Sequence, residues 1–140
     1  MLEQTLVLIK PDGVQRKLMG EIISRFDRKG FRIRAMKLMR WSKKTAEQFY
    51  SVHKGKPFFK PLIQFMTSGP VVAMVLEAED AILIVRKMMG ELDPKNGIPG
   101  TIRGDYALDI RHNIVHGSDS ASSANREISV LFKSQELVKY

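Results

Sequence analysis

The chain contains no cysteine. That excludes disulfides, thiolate catalysis and every cysteine-based metal site. No apolar run approaches the ~18 residues of a membrane span. The opening stretch MLEQTLVLIKPDG has neither the basic region nor the small-residue cleavage site of a signal peptide. These absences together lead to the expectation of a cytoplasmic protein with no membrane association. There is no block of about five like charges to read as a tail. There is also no internal repeat, linker or low-complexity stretch, so residues 1–140 read as one domain. The phosphate-binding signatures G-x-x-x-x-G-K-[ST] and G-x-G-x-x-G are missing, and Gly55-Lys56 runs straight into Pro57. Histidine is scarce, at three residues. His112 and His116 have the spacing of a helical zinc site, but Asn113 stands where that motif needs glutamate. Their setting reads as a strand, which would put them roughly 13 Å apart, too far to share a metal.

What the chain does have is positive charge. Twenty-three lysines and arginines against 15 acids give a formal net charge of +8. An anionic partner is expected: nucleic acid, an acidic membrane surface and a polyphosphate all satisfy the sign. The basic residues are dispersed, which favours a focused small-anion site over a nucleic-acid arm. Nucleic-acid binding is therefore expected to be weak and non-specific at most. At 44% apolar the chain can bury a substantial core.

The apolar run at 5–9 reads as a buried strand, stopped by a turn at Pro11-Asp12-Gly13. Leu18, Ile22, Ile23 and Phe26 follow helical spacing up to Gly30. Residues 31–39 alternate like a strand, with Met36 and Leu38 switching faces at an expected bulge. Residues 43–66 read as helix in two pieces broken at Lys56-Pro57. VVAMVL (71–76) reads as a second buried strand, and Glu79 and Asp80 as the first turn of a helix ending near Gly90. Residues 91–105 show no period and read as a long loop. A short strand at 114–116 and a helix through Ala121, Ala124, Ile128 and Leu131 complete the order. The expected class is α+β, an antiparallel sheet with helices on one face, of the split βαβ kind.

His116 ends the last strand and is ambiguous by itself, because a lone histidine there is more often structural than catalytic. Its surroundings favour chemistry. Gly117 permits close approach of a ligand, Ser118, Asp119 and Ser120 open a helix, and Glu127 lies where it could fold back to the imidazole. A carboxylate on one ring nitrogen would fix the tautomer and free the other nitrogen's lone pair. An unperturbed imidazole, with a pKa of about 6.5, is mostly neutral at pH 7. Phosphoryl transfer to such a nitrogen would need cations to hold the departing phosphates. Lys10, at the end of a buried strand, and Arg86 and Arg103 are the candidates.

From end to end the sequence resembles the nucleoside diphosphate kinases. The matching blocks are KPDGVQR (10–16), GEIISRFDRKGF (20–31), AMK (35–37), PFF (57–59), SGPVVAMV (68–75), PGTIRGDY (99–106) and NIVHGSDSASSANREI (113–128). The resemblance implies a ferredoxin-like sandwich with a four-stranded antiparallel sheet, assembled as a hexamer or tetramer. It implies ping-pong transfer from a nucleoside triphosphate to a nucleoside diphosphate through a phosphohistidine on His116, with Mg²⁺ held by the nucleotide phosphates. Glu127 and Ser118 would orient His116, and Tyr50 would line the site. Lys10 and Asn113 would hold the sugar hydroxyls and phosphates, and Arg86 and Arg103 would clamp the phosphates. Phe58 would stack on the base beside Leu62 and Ile110. Stacking is tolerant of base identity, so broad base and sugar use is expected. The sequence departs from the family pattern at Leu92, where a phosphate-binding threonine is usual, and at Arg111, where glycine is common.

Overall fold

A computed structural model describes residues 2–140. The two continuous apolar runs become the two central strands, β1 (Leu2–Ile9) and β3 (Val71–Glu79). β2 (Arg32–Met39) and β4 (Val115–Gly117) lie outside them, and the antiparallel sheet has the order β2-β3-β1-β4. Helices α1 (Pro11–Gln15), α2 (Met19–Lys29), α3 (Lys43–Phe49), α4 (Phe59–Met66), α5 (Ala81–Met89), α6 (Ile102–Tyr106) and α7 (Ala121–Leu131) connect and cover it.

Helices cover both faces of the sheet, which corrects the one-face expectation. Val7 and Ile9 point into a core with Ile22 and Phe26 of α2 and Val85 and Met89 of α5. Leu6 and Leu8 point the other way, onto Phe49 of α3, Ile63 and Met66 of α4 and Leu131 of α7. The physical reason was present in the strands themselves. An uninterrupted apolar run, unlike an alternating one, has no side to show to water.

Other boundaries moved for local reasons. Pro11-Asp12-Gly13 opens a five-residue helix where a turn was expected, because proline's fixed φ suits the first helical position. The break between α3 and α4 spans residues 50–58 and includes a 3₁₀ turn at Ser51–His53, so it is wider than Lys56-Pro57. The bulge in β2 falls between Ile33 and Ala35, upstream of the expected switch. It leaves Ile33 on one core and Ala35 and Met39 on the other, with Met36 and Leu38 exposed. Glu79 ends β3 and Asp80 is a left-handed joint (φ 52), so neither lies in the first turn of α5. That helix end is capped from elsewhere: Glu3 Oε1 accepts from the Ile82 amide at 2.9 Å. The 91–105 stretch holds a 3₁₀ turn at Pro94–Asn96 and the short α6, whose cap is Thr101 Oγ1 accepting from Gly104 N at 2.9 Å.

This arrangement brings five elements together. β4 pairs with β1 through His116 and Leu8, and Lys10 follows β1 directly. Arg86 comes from α5, Arg103 from α6 and Glu127 from α7.

Candidate active site

His116 projects into a cleft of about 730 Å³. Lys10, Tyr50, Phe58, Leu62, Arg86, Leu92, Arg103, Ile110, Asn113 and Glu127 line it as well. Ser118 lies behind the wall, fully buried. These residues come from segments spread between Lys10 and Glu127, and the packing of helices and loops against the sheet brings them to one place.

The imidazole is held on three sides. Glu127 Oε1 lies 2.9 Å from His116 Nε2, and Ser118 Oγ donates to the same carboxylate oxygen at 2.7 Å. A carboxylate here accepts, so Nε2 carries a proton, and in the neutral ring Nδ1 keeps its lone pair. The rings of Phe49 and Tyr50 meet the imidazole edge-on, with centroids at 5.3 and 6.4 Å. The Tyr50 hydroxyl is buried without a hydrogen-bond partner, and burial, then the Glu127 charge, pushes its pKa up. α7 presents Glu127 because its N-terminus is fixed by Ser120, whose hydroxyl accepts from Ser123 N at 3.1 Å.

The cations are unusually enclosed. Lys10 and Arg103 are each 8% exposed. Lys10 is therefore no surface lysine: its Nζ donates to Asn113 Oδ1 at 2.9 Å, and Asn113 Nδ2 donates to the Ile110 carbonyl at 3.1 Å. Arg103 donates to three carbonyls, those of Asn113 (3.2 Å), Gly90 (3.1 Å) and Val115 (2.8 Å). Arg86 donates to the Gly117 carbonyl at 3.3 Å. Among the described residues none of the three forms an ion pair. Burial, then Arg103, pulls the Lys10 pKa down to about 8, with Asp12 opposing. Burial, then Arg86, brings Arg103 down to about 10. Buried cations without an ion-pair partner are costly, and a bound anion offsets that cost.

Phe58 sits at the mouth, 47% exposed, with His53 edge-on at 5.1 Å. Leu62 and Ile110 flank it. Phe49 and His53 were not anticipated as lining residues; the spacing of His53 three residues after Tyr50 was the available signal. His112 takes no part beside His116: its Nδ1 lies 3.1 Å from Asp109 Oδ2, and its ring meets Phe65. Among the described residues no group of three or more His, Cys, Asp or Glu side chains could hold a metal ion.

The geometry is thus an oriented imidazole facing a cationic cleft with an aromatic lip. The family model for nucleoside diphosphate kinase matches residues 3–137. The chain belongs to the nucleoside diphosphate kinase family. It is 59% identical over 138 residues to a nucleoside diphosphate kinase of Staphylothermus marinus, covering 99% of this chain and 98% of the relative. It is 56% identical over 137 residues to that of Thermus thermophilus, covering 98% and 100%. Its structure superposes with a TM-score of 0.96 on the Aquifex aeolicus nucleoside diphosphate kinase, at 42% identity over 99% of this chain and 100% of that one. The score is also 0.96 against a halophilic nucleoside diphosphate kinase from Halobacterium salinarum in complex with CDP, at 46% identity over 100% and 93%. As a nucleoside diphosphate kinase the chain is an enzyme, and it moves phosphate between nucleoside triphosphates and diphosphates. Its fold is the ferredoxin-like α+β sandwich of those structures.

Proposed function

We propose that this kinase works by ping-pong transfer through His116, with Nδ1 as the nucleophile. The observation that supports it is the pairing of Nε2 with Glu127, which leaves the other ring nitrogen unbonded in a cleft lined by Lys10, Arg86 and Arg103. The Nδ1 lone pair attacks the γ-phosphorus of a nucleoside triphosphate. The bond to the β–γ bridging oxygen breaks, and the electron pair leaves with the nucleoside diphosphate. The imidazole then carries a phosphoryl group and the Nε2 proton, and Glu127 balances the charge. In the second half, a β-phosphate oxygen of another nucleoside diphosphate attacks the same phosphorus and the imidazole leaves. Arg86, Arg103 and Lys10 hold the equatorial oxygens, where the transition-state charge resides.

The donor set fits a metal that arrives on the nucleotide. The cleft offers cations and an amide to phosphates and sugar, with Asp119 as the carboxylate near its rim. Mg²⁺ bound to the phosphates would neutralise part of their charge. Phe58 stacks on the base between Leu62 and Ile110, and an aromatic face does not discriminate between bases. Broad base and sugar tolerance follows, and the CDP complex of the Halobacterium salinarum relative supports a pyrimidine in the set.

The protein acts as one domain over residues 1–140, in the cytoplasm, as a hexamer or tetramer; among the described residues no helix is long and apolar enough to cross a membrane.

The test is phosphoenzyme trapping with Mg²⁺ and γ-labelled ATP in the absence of acceptor. The expected label is stable to base, labile to acid and chased into triphosphate by a nucleoside diphosphate. It disappears in His116→Ala and persists in His112→Ala. Label that survives His116→Ala would overturn the assignment.

A further inference from the structure

Ile114 is a fully buried, β-branched residue with φ 74. Left-handed backbone is a genuine outlier for such a side chain and persists only where the surroundings enforce it. Three contacts enforce it here. Asp12 Oδ2 accepts from the Ile114 amide at 3.1 Å. The Lys10 amide donates to the Ile114 carbonyl at 2.8 Å. The Val115 amide donates back to the Asn113 carbonyl at 2.8 Å, closing a tight turn across Ile114. Gly13 completes the fit, since a Cβ there would lie 3.0 Å from Ile114 Cγ2 and 3.3 Å from the Ile114 carbonyl oxygen.

The position of this turn gives it a consequence for the reaction. Asn113, the partner of Lys10, lies immediately before it, and His116 lies two residues after it. Both face the cleft. Arg103 is anchored on the carbonyls of Asn113 and Val115, which flank Ile114. The direction of one residue's backbone therefore sets the nucleophile, one polar ligand and the seat of a cation. Asp12 itself does not line the cleft, is 8% exposed, and has its second oxygen, Oδ1, buried without a hydrogen-bond partner. One oxygen of this carboxylate thus holds the Ile114 amide while the other lies buried and unpartnered, an arrangement that costs stability.

We infer that Asp12 is a positioning residue: its carboxylate holds Ile114 in the left-handed conformation and thereby aims His116 and Asn113 into the cleft. The inference rests on His116 as the phosphoryl acceptor. The competing account is that Asp12 acts only through its charge on the nearby Lys10.

The two accounts separate in a double-mutant cycle read as the rate of phosphohistidine formation at saturating ATP. Asp12→Ala is expected to slow the step by about tenfold or more. Glycine adopts φ > 0 without strain, so in an Ile114→Gly background the same substitution is expected to cost less than about threefold. Equal costs in both backgrounds would overturn the inference. Asp12→Asn keeps the size and one acceptor oxygen while removing the charge, and it decides the matter if the alanine variant fails to fold. A rate within about threefold of the parent supports the hydrogen bond; a fall as large as that of alanine overturns it in favour of charge. The parent chain and His116→Ala are labelled first. A parent not labelled on His116 would overturn the acceptor reading and this inference with it, whereas a correctly labelled parent with an additive cycle overturns the role of Asp12 alone.

Discussion

Lys10 shows at the scale of one residue how the cleft is set against stability. Its ammonium is enclosed, has an amide oxygen and no carboxylate in hydrogen-bond contact, and holds its proton only up to about pH 8. The folded-state pKa lies below the ordinary value, so between pH 8 and 10.5 the unfolded chain binds more protons and stability rises with pH across that window. Below pH 8 the full cost of the buried charge is present. Lys10→Met is therefore expected to raise the melting temperature of the nucleotide-free protein at pH 7, with the gain shrinking above pH 8. Ligand binding has the opposite sense, because phosphates favour the protonated lysine. The dissociation constant of a nucleoside diphosphate is expected to rise by up to about tenfold per pH unit above pH 8. Calorimetric titrations from pH 7 to 9.5 check this, and a flat profile would remove Lys10 from the phosphate site. Leu92 makes a second residue-scale prediction. It lines the cleft, 49% exposed, and has no hydroxyl to donate. A threonine there would add one hydrogen bond, worth about 0.5–1.5 kcal/mol. Leu92→Thr is expected to lower the nucleotide KM by up to roughly tenfold, and an unchanged or raised KM would mean that no phosphate passes that position.

Helix α6 is the element on which Arg103 depends. It has only five residues, and it packs so closely against the segment just before it that a Cβ on Gly104 would overlap the carbonyl oxygen of Ile98. Backbone cannot yield as a side-chain tip can. Gly104→Ala is expected to displace α6, to destabilise the fold by about 1–3 kcal/mol and to weaken nucleotide binding together with it. Urea denaturation and diphosphate titration of the same variant measure the two losses; full stability with normal binding would contradict the packing argument. The same element marks the limit of what the sequence discloses. Long apolar runs and 3.6-residue spacing made β1, β3, α2 and α7 legible, and Gly30 marked the stop of α2 correctly. Helices of five residues have no period to read, so α6 passed for loop and α1 for turn. The coverage of the second sheet face was legible in the unbroken apolarity of TLVLI and VVAMVL, which the order of elements does not disclose. Of the candidate site, the residues that match the family pattern are legible in the sequence. Phe49 and His53 are not, because no motif or period sets them apart from other residues of 43–66.

Over the whole molecule, charge acts on two length scales. Most of the charged residues behind the formal net charge of +8 are spread over the surface, while Lys10 and Arg103 sit inside the cleft. Surface charges are screened beyond about 8 Å at physiological ionic strength, whereas enclosed ones are screened far less. Long polyanions and single nucleotides should therefore respond differently to salt. A polyanion engages the dispersed surface and releases counterions in proportion to its phosphate contacts, so its binding falls steeply. A nucleotide meets three cations fixed by hydrogen bonds to backbone carbonyls and Asn113, and displaces little of the ion atmosphere. Between ~50 and ~200 mM salt, duplex DNA retention is expected to fall by at least about 100-fold, while the KM for a nucleoside diphosphate changes by less than about threefold. Filter binding and steady-state turnover on the same preparation give both curves. If DNA binding survived at 200 mM salt, the basic surface would hold a structured nucleic-acid site, and the dispersed-charge reading of this molecule would be wrong. If KM instead rose in step with the loss of DNA, the cleft cations would be as open to solvent ions as the surface ones, contrary to their burial.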